Sequence, residues 1–188
     1  KIIEKEKPSK FLVLGDTNSS VGSIVAKRMG VKVYHMEAGN RCFSNKSPEE
    51  VNRKIIDHSS DILLPYTSGS SRNLLLEGIK KKNIIVTGNP ITEVIHSYRK
   101  NINNSNIIKE LGIQKNNYFI LTMHRQENVD DENILKNFIL TFNMIVKRFD
   151  KKIIWPIHPR SKKMLKKYNI ILDSRILTIK PLGFFDFL

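Results

Sequence analysis

Between His35 and Arg53 the sequence sets Glu37, Glu49 and Glu50 beside Arg41 and Arg53. Carboxylates can take up and release protons, and guanidinium groups can hold an anion. Packed together where a strand ends and a helix starts, they look like a ligand site. Gly39 lets the backbone turn tightly between the two acidic clusters. The plainer alternative is a solvated loop leading into a helix, with Pro48 at its first position and Glu49 and Glu50 in its first turn. Three more clusters mix polar residues in the same way: Gly15-Asp16-Thr17, His124-Arg125-Gln126-Glu127-Asn128 and His158-Pro159-Arg160. Asp16 by itself suits a turn or helix cap. His124 and Arg125 are not capping residues, so a cap does not explain them. His158 could simply end a strand and make one backbone hydrogen bond.

The surrounding elements explain why these clusters could meet. Apolar runs at 11–14, 31–36, 62–65 and 84–88 read as strands. Between and after them, 19–29, 48–58, 70–77 and 90–99 read as helices. A second alternation follows, with helices at 107–111, 131–149 and 161–168 and strands at 118–123, 153–157 and 176–179. The run at 11–14 is wholly apolar, which predicts a parallel strand buried on both faces. The long helix carries Ile134, Leu135, Phe138, Ile139, Phe142, Ile145, Val146 and Phe149 at amphipathic spacing. The fold class is therefore α/β with mostly parallel sheets. Each polar cluster follows a strand, and strand C-termini gather at one edge of a parallel sheet, where ligands bind. The asparagine-rich stretch 101–106 suits a linker, giving domains at 1–100 and 107–188.

Composition narrows the partners. The chain has 188 residues and a net charge of +14. That surplus would suit nucleic acid, an anionic membrane face or an anionic small molecule. Much of it lies in Lys151–Lys152, Lys162–Lys163 and Lys166–Lys167, as expected of a solvated helix face. No nucleic-acid-binding pattern accompanies it, so the reading is no nucleic acid. No apolar run approaches the ~20 residues of a membrane span, so the reading is also no membrane. The single cysteine, Cys42, excludes an internal disulfide and fits a reducing, cytoplasmic setting. No paired ligands stand at metal-binding spacing. No glycine-rich dinucleotide fingerprint and no P-loop occur. The expectation is no metal and no cofactor. The chain stops on Phe184-Phe185-Asp186-Phe187-Leu188, an apolar run with nothing evident to pack it. We read the chain as an internal piece of a longer protein.

The ordered series Gly15-Asp16-Thr17, His35-Met36-Glu37-Ala38-Gly39-Asn40-Arg41, Pro48-Glu49-Glu50-Val51-Asn52-Arg53 and His124-Arg125-x-Glu127-Asn128 resembles the motifs of the non-hydrolysing UDP-N-acetylglucosamine 2-epimerases. Thr87-Gly88-Asn89-Pro90 and His158-Pro159-Arg160 fit the same series in order and spacing. The run from Glu37 to Phe43 with Pro48-Glu49-Glu50 resembles the branch acting on 6-deoxy analogues. The resemblance implies two Rossmann-like domains of GT-B type, both incomplete in this chain. It implies a UDP-sugar substrate, elimination and re-addition of UDP, a homodimer at full length, and a role in surface polysaccharide precursor synthesis. It casts Asp16, Glu37, Glu49 and His124 as catalytic, and Arg41, Arg125, His158 and Phe187 as substrate-binding. Of these, His124 and Arg125 would hold the diphosphate and Phe187 would lie against uracil. Two other functions compete: a GT-B glycosyltransferase using a UDP-sugar donor, and a non-enzymatic anion-binding module.

Overall fold

The computed structural model describes residues 1–44 and 47–188. They form two compact units, Lys1–Val94 and Ile95–Leu188. In the first unit the order is α1 (Ile2–Glu6), β1 (Lys10–Leu14), a 3₁₀ turn (Asn18–Gly22), α2 (Ser23–Arg28), β2 (Lys32–Met36), α3 (Pro48–Ser59), β3 (Ile62–Leu64) and α4 (Ser68–Leu76). Helix α5 (Ile91–Ser97) carries the chain from one unit to the other. The second unit holds α6 (Arg99–Asn103), α7 (Ile107–Glu110), β4 (Tyr118–Ile120), α8 (Gln126–Val129), α9 (Glu132–Phe149), β5 (Lys152–Pro156), α10 (Pro159–Lys167), β6 (Ile176–Ile179) and α11 (Phe184–Phe187).

Each unit is built on a parallel three-stranded sheet, ordered β1-β2-β3 and β4-β5-β6. Helical crossovers join the strands, as parallel pairing requires. In the first unit Val13, Ala26, Val33 and Ile56 are buried together, and Ala38, Leu63 and Leu74 form a second cluster. In the second, Leu135, Ile139 and Val146 of α9 pack with Ile153, Trp155 and Ile176 of the sheet. Ile134 and Phe149, which share the apolar spacing of α9, remain exposed. The buried stripe is narrower than the apolar one.

Four expectations change. Strand β1 is not buried on both faces: Leu12 and Leu14 are 62% and 61% exposed, and only Val13 is buried. Among the described residues no layer covers the Leu12–Leu14 face. The run at 84–88 makes one isolated bridge, Leu63 to Ile84, rather than a strand. Its amides still reach β3 and the residue after it, Ile85 to the Leu63 carbonyl at 2.9 Å and Thr87 to that of Pro65 at 3.0 Å. The stretch 101–106 is helical at its start, completing α6, and the units divide earlier, between Val94 and Ile95. The C-terminal aromatics have partners although they stay exposed: Phe185 lies 5.5 Å from the Tyr98 ring, and Asp186 accepts a hydrogen bond from Ser105 Oγ at 2.6 Å.

Candidate functional site

The first unit gathers carboxylates at the C-terminal edge of its sheet. Gly15 follows β1 with φ +72°, and its amide donates to the Met36 carbonyl at 3.2 Å. Glu37 follows β2 with φ +67° and donates its amide to Leu64 of β3 at 3.1 Å. A non-glycine residue in the left-handed region is strained, and such residues concentrate at functional sites. The Glu37 Oε2 atom lies 3.6 Å from where a Cβ on Gly15 would stand, beside Asp16. Residues 21 positions apart in sequence thus share one strand edge.

Neighbouring side chains fix both carboxylates. Arg53 Nε donates to Asp16 Oδ2 at 2.7 Å, and Asn52 Nδ2 to the Asp16 carbonyl at 3.0 Å. Asn40 Nδ2 donates to Glu37 Oε1 at 3.1 Å, and the Asn40 Oδ1 atom accepts from Ser70 Oγ at 2.9 Å. Burial, with the negative charge of Glu37 added, pushes the Tyr66 phenol above its ordinary value. That places the phenol within electrostatic reach of Glu37.

The paired acids of α3 have different environments. Glu49 is exposed and accepts from Ser47 Oγ at 2.8 Å. It stands one helical turn before Arg53, the residue that reaches Asp16. Glu50 is only 1% exposed and receives the amides of Cys42 at 3.0 Å and Phe43 at 3.3 Å, with Arg53 Nη1 at 3.1 Å. Burial pushes the Glu50 carboxyl up, but the Cys42 amide and thiol, Arg53 and the Phe43 amide outweigh it and hold it below its ordinary 4.5. Glu50 therefore braces the loop, and Glu49 is the acid left towards solvent. Cys42 is exposed and near Glu50, not packed in a core.

Arg41 does not take the substrate-facing place expected of it. Its side chain is fully buried. Nε and Nη2 grip Glu77 at 2.7 and 2.5 Å, while Nη1 reaches Asp57 at 2.8 Å and the Asn40 carbonyl at 2.7 Å. Burial disfavours its charge, but Glu77 and Asp57 more than compensate and raise its pKa. The geometry leaves its guanidinium committed to protein groups.

Thr87, Asn89, Thr92 and Glu93 line a hollow of about 390 Å³ beside Met36, at the end of β2. The motif Thr87-Gly88-Asn89-Pro90 is therefore at the same sheet edge as Glu37.

The second unit gathers histidines and arginines in the same way. The His124 and His158 rings lie 5.6 Å apart. The buried Ser161 hydroxyl donates to the Met123 carbonyl at 2.6 Å, tying the first turn of α10 to the segment after β4. That bond sets the two histidines side by side. His158 Nδ1 accepts the Arg160 amide at 3.1 Å and so caps α10, leaving Nε2 for another contact. Arg125 is exposed and 3.5 Å from Glu127, and Arg160 lies 3.9 Å from Asp130. Two histidines, two arginines and a helix N-terminus suit an anion such as a diphosphate. Phe187, 41% exposed, belongs to a different feature. With Tyr118, Leu182 and Phe185 it lines a largely apolar hollow of about 370 Å³.

Known proteins resemble this chain in sequence and fold. The sequence profile of the UDP-N-acetylglucosamine 2-epimerases matches residues 1–188. A UDP-N-acetylglucosamine 2-epimerase of Methanococcus maripaludis is 40% identical over 196 residues, covering all of this chain and 54% of the relative. The structure of UDP-N-acetylglucosamine 2-epimerase from Rickettsia bellii superposes with a TM-score of 0.88 at 36% identity, covering 99% of this chain and 49% of that one. The Methanocaldococcus jannaschii UDP-GlcNAc 2-epimerase, solved with UDP-GlcNAc and UDP, gives 0.87 at 38%, covering 99% and 53%. The chain spans about half the length of the relatives it matches. Its two Rossmann-like units are those of the GT-B class. A profile matched from end to end, together with these superpositions, makes the chain a member of the UDP-N-acetylglucosamine 2-epimerase family.

Proposed function

We propose that the protein carrying this chain interconverts UDP-N-acetylglucosamine and UDP-N-acetylmannosamine, or their 6-deoxy analogues, by eliminating and re-adding UDP. The observation that carries the reading is the Glu37 carboxylate, held over Gly15 beside Asp16 at adjacent strand ends. The C2 proton of the sugar has no neighbouring carbonyl to acidify it. Its removal needs a positioned base, and inversion needs an acid on the opposite face. Asp16, Glu37 and Glu49 are our candidates for these proton transfers. Loss of UDP from C1 leaves a glycal, and protonation at C2 with return of UDP completes the inversion. The departing diphosphate gains negative charge and needs fixed cations. We assign that task to His124 and Arg125, with His158 as a further contact and Phe187 against uracil.

In this reading residues 1–94 contribute to the acid–base domain and 95–188 to the nucleotide-binding domain. The remaining assignments are no metal or cofactor, from the missing motifs; a cytoplasmic setting, from the single cysteine; and a homodimer with a place in making polysaccharide precursors, from the family resemblance.

Among the described residues no helix is long and apolar enough to cross a membrane. The whole protein, incubated with UDP-N-acetylglucosamine in deuterated water, should incorporate deuterium at C2 of the product. Inverted product that kept its original hydrogen would rule out free exchange with solvent and point to a shielded proton or to hydride chemistry. Release of UDP only when an acceptor sugar is added would favour the glycosyltransferase reading.

A further inference from the structure

The first unit contains a buried ionic array that cannot touch a substrate. His35, Asp57 and Arg41 have fully buried side chains. His35 Nδ1 lies 2.7 Å from Asp57 Oδ1, and His35 Nε2 lies 3.1 Å from the Gly15 carbonyl. A carbonyl only accepts, so Nε2 carries the hydrogen of that bond. Asp57 Oδ2 accepts the Gly39 amide at 3.1 Å and Arg41 Nη1 at 2.8 Å. Arg41 then holds Glu77 through two nitrogens, and His58 Nε2 lies 3.4 Å from the same carboxylate.

The placement of these bonds along the chain is informative. One carboxylate, Asp57, grips residue 35 and residue 39, two positions before and two after Glu37. The other nitrogen of His35 grips residue 15, immediately before Asp16. Glu37 is therefore bracketed by two bonds to Asp57, and Asp16 is flanked on one side by a bond that reaches Asp57 through His35. Burying such charges is costly, and a well-packed apolar cluster would serve stability as well or better. What an apolar cluster cannot supply is directional bonds that fix a strained turn.

We propose that His35, Asp57 and Arg41 form a buried clamp that positions Glu37 and Asp16, and that they act as positioning residues without contacting substrate. The activity part of this inference rests on the epimerase reading above. The clamp itself does not.

The test uses the whole protein and three readouts: hydrogen exchange, kinetics and Tm. Asp57→Asn keeps the shape but turns one amide donor towards groups that donate. His35→Gln cannot span Gly15 and Asp57 together. Ile56→Val, in the adjoining apolar cluster, is the control for simple loss of stability. In Asp57→Asn, hydrogen exchange at the Gly39 amide should quicken about tenfold or more, the equivalent of one lost charge-assisted bond, while Val33 and Leu63 keep their protection. Both clamp variants should lose kcat by about 10²-fold, the cost of slight misplacement, with KM within about twofold. The double variant should lose little more than the worse single one, because the two residues act as a unit. Ile56→Val should lower Tm and leave kcat unchanged. Unchanged exchange at Gly39 in a folded Asp57→Asn protein would overturn the clamp whether or not the protein epimerises. Normal exchange behaviour in a wild type that inverts no UDP-sugar would instead overturn the proposed function. Clamp variants that lose Tm as Ile56→Val does, with kcat intact, would reduce the array to a stabilising feature and overturn its positioning role.

Discussion

Gly39 is where fold and candidate site make the strictest demand on one residue. Its φ is +75°, and a Cβ there would stand 2.3 Å from the Ser70 carbonyl oxygen and 2.8 Å from Leu74 Cγ. Gly78 has a similar φ of +85° but nothing within 4 Å of its missing Cβ. Alanine at either position incurs the left-handed penalty of about 1–2 kcal/mol. At Gly78 that is the whole cost. At Gly39 the first turn of α4 must also move by about an ångström, because an atom of backbone, not a flexible tip, is in the way. The movement strains two bonds that Gly39 makes, its amide to Asp57 and its carbonyl from Asn73 Nδ2 at 2.9 Å. Each adds about 1 kcal/mol, and an amide left buried without a partner adds more. We expect about 1–2 kcal/mol for Gly78→Ala and about 3–5 kcal/mol for Gly39→Ala. Urea unfolding of the two variants and the wild type, followed by circular dichroism, measures the difference. Equal costs for the two substitutions would refute the close approach of α4 to this turn, and with it the reason glycine stands between the two acidic clusters.

Two further outcomes follow from the carboxylates. In the whole protein, Glu37→Gln and Glu49→Gln should each cut turnover by about 10²–10⁴-fold, as loss of an acid–base group does, while calorimetric UDP affinity stays near wild type; near-normal turnover in both would return this loop and the acidic turn of α3 to a purely structural role. Glu50 is held below 4.5 in the folded state, so its contribution to stability is complete above pH 4.5 and drains away as pH falls through its depressed value. Glu50→Gln should therefore be less stable than wild type at neutral pH and lose less stability on acidification below pH 4.5, read from urea midpoints across a pH series; parallel curves would refute the buried Cys42–Glu50–Arg53 arrangement.

The sequence determined the class of fold and the edge where chemistry gathers. Short apolar runs alternating with amphipathic helices dictate parallel strands, because a crossover helix leaves no room for a hairpin. Polar clusters directly after those runs must then fall at strand C-termini, as Asp16 and Glu37 do. The motif order also identified the family, since an ordered series of weak motifs is specific when no single one is. Local pattern could not say which of two adjacent acids faces inward. Glu49 and Glu50 have the same chemistry and differ by 100° around α3, so only the docking of that helix makes Glu50 the brace and Glu49 the exposed acid. The fate of Arg41 was equally beyond the sequence. An arginine in a glycine-containing loop reads as a ligand for an anion. Whether it faces solvent or Asp57 depends on a partner 16 residues away and on Glu77 at the end of another helix. Asp57 shows the same limit from the other side. With Glu50 and Arg53 it recurs at helical spacing on one face, which resembles a solvated stripe. Tertiary packing turned that stripe inward, where charges can persist only if they are paired. Exposure of Leu12 and Leu14 was decided there too, since an apolar strand states what it would bury and not what lies against it.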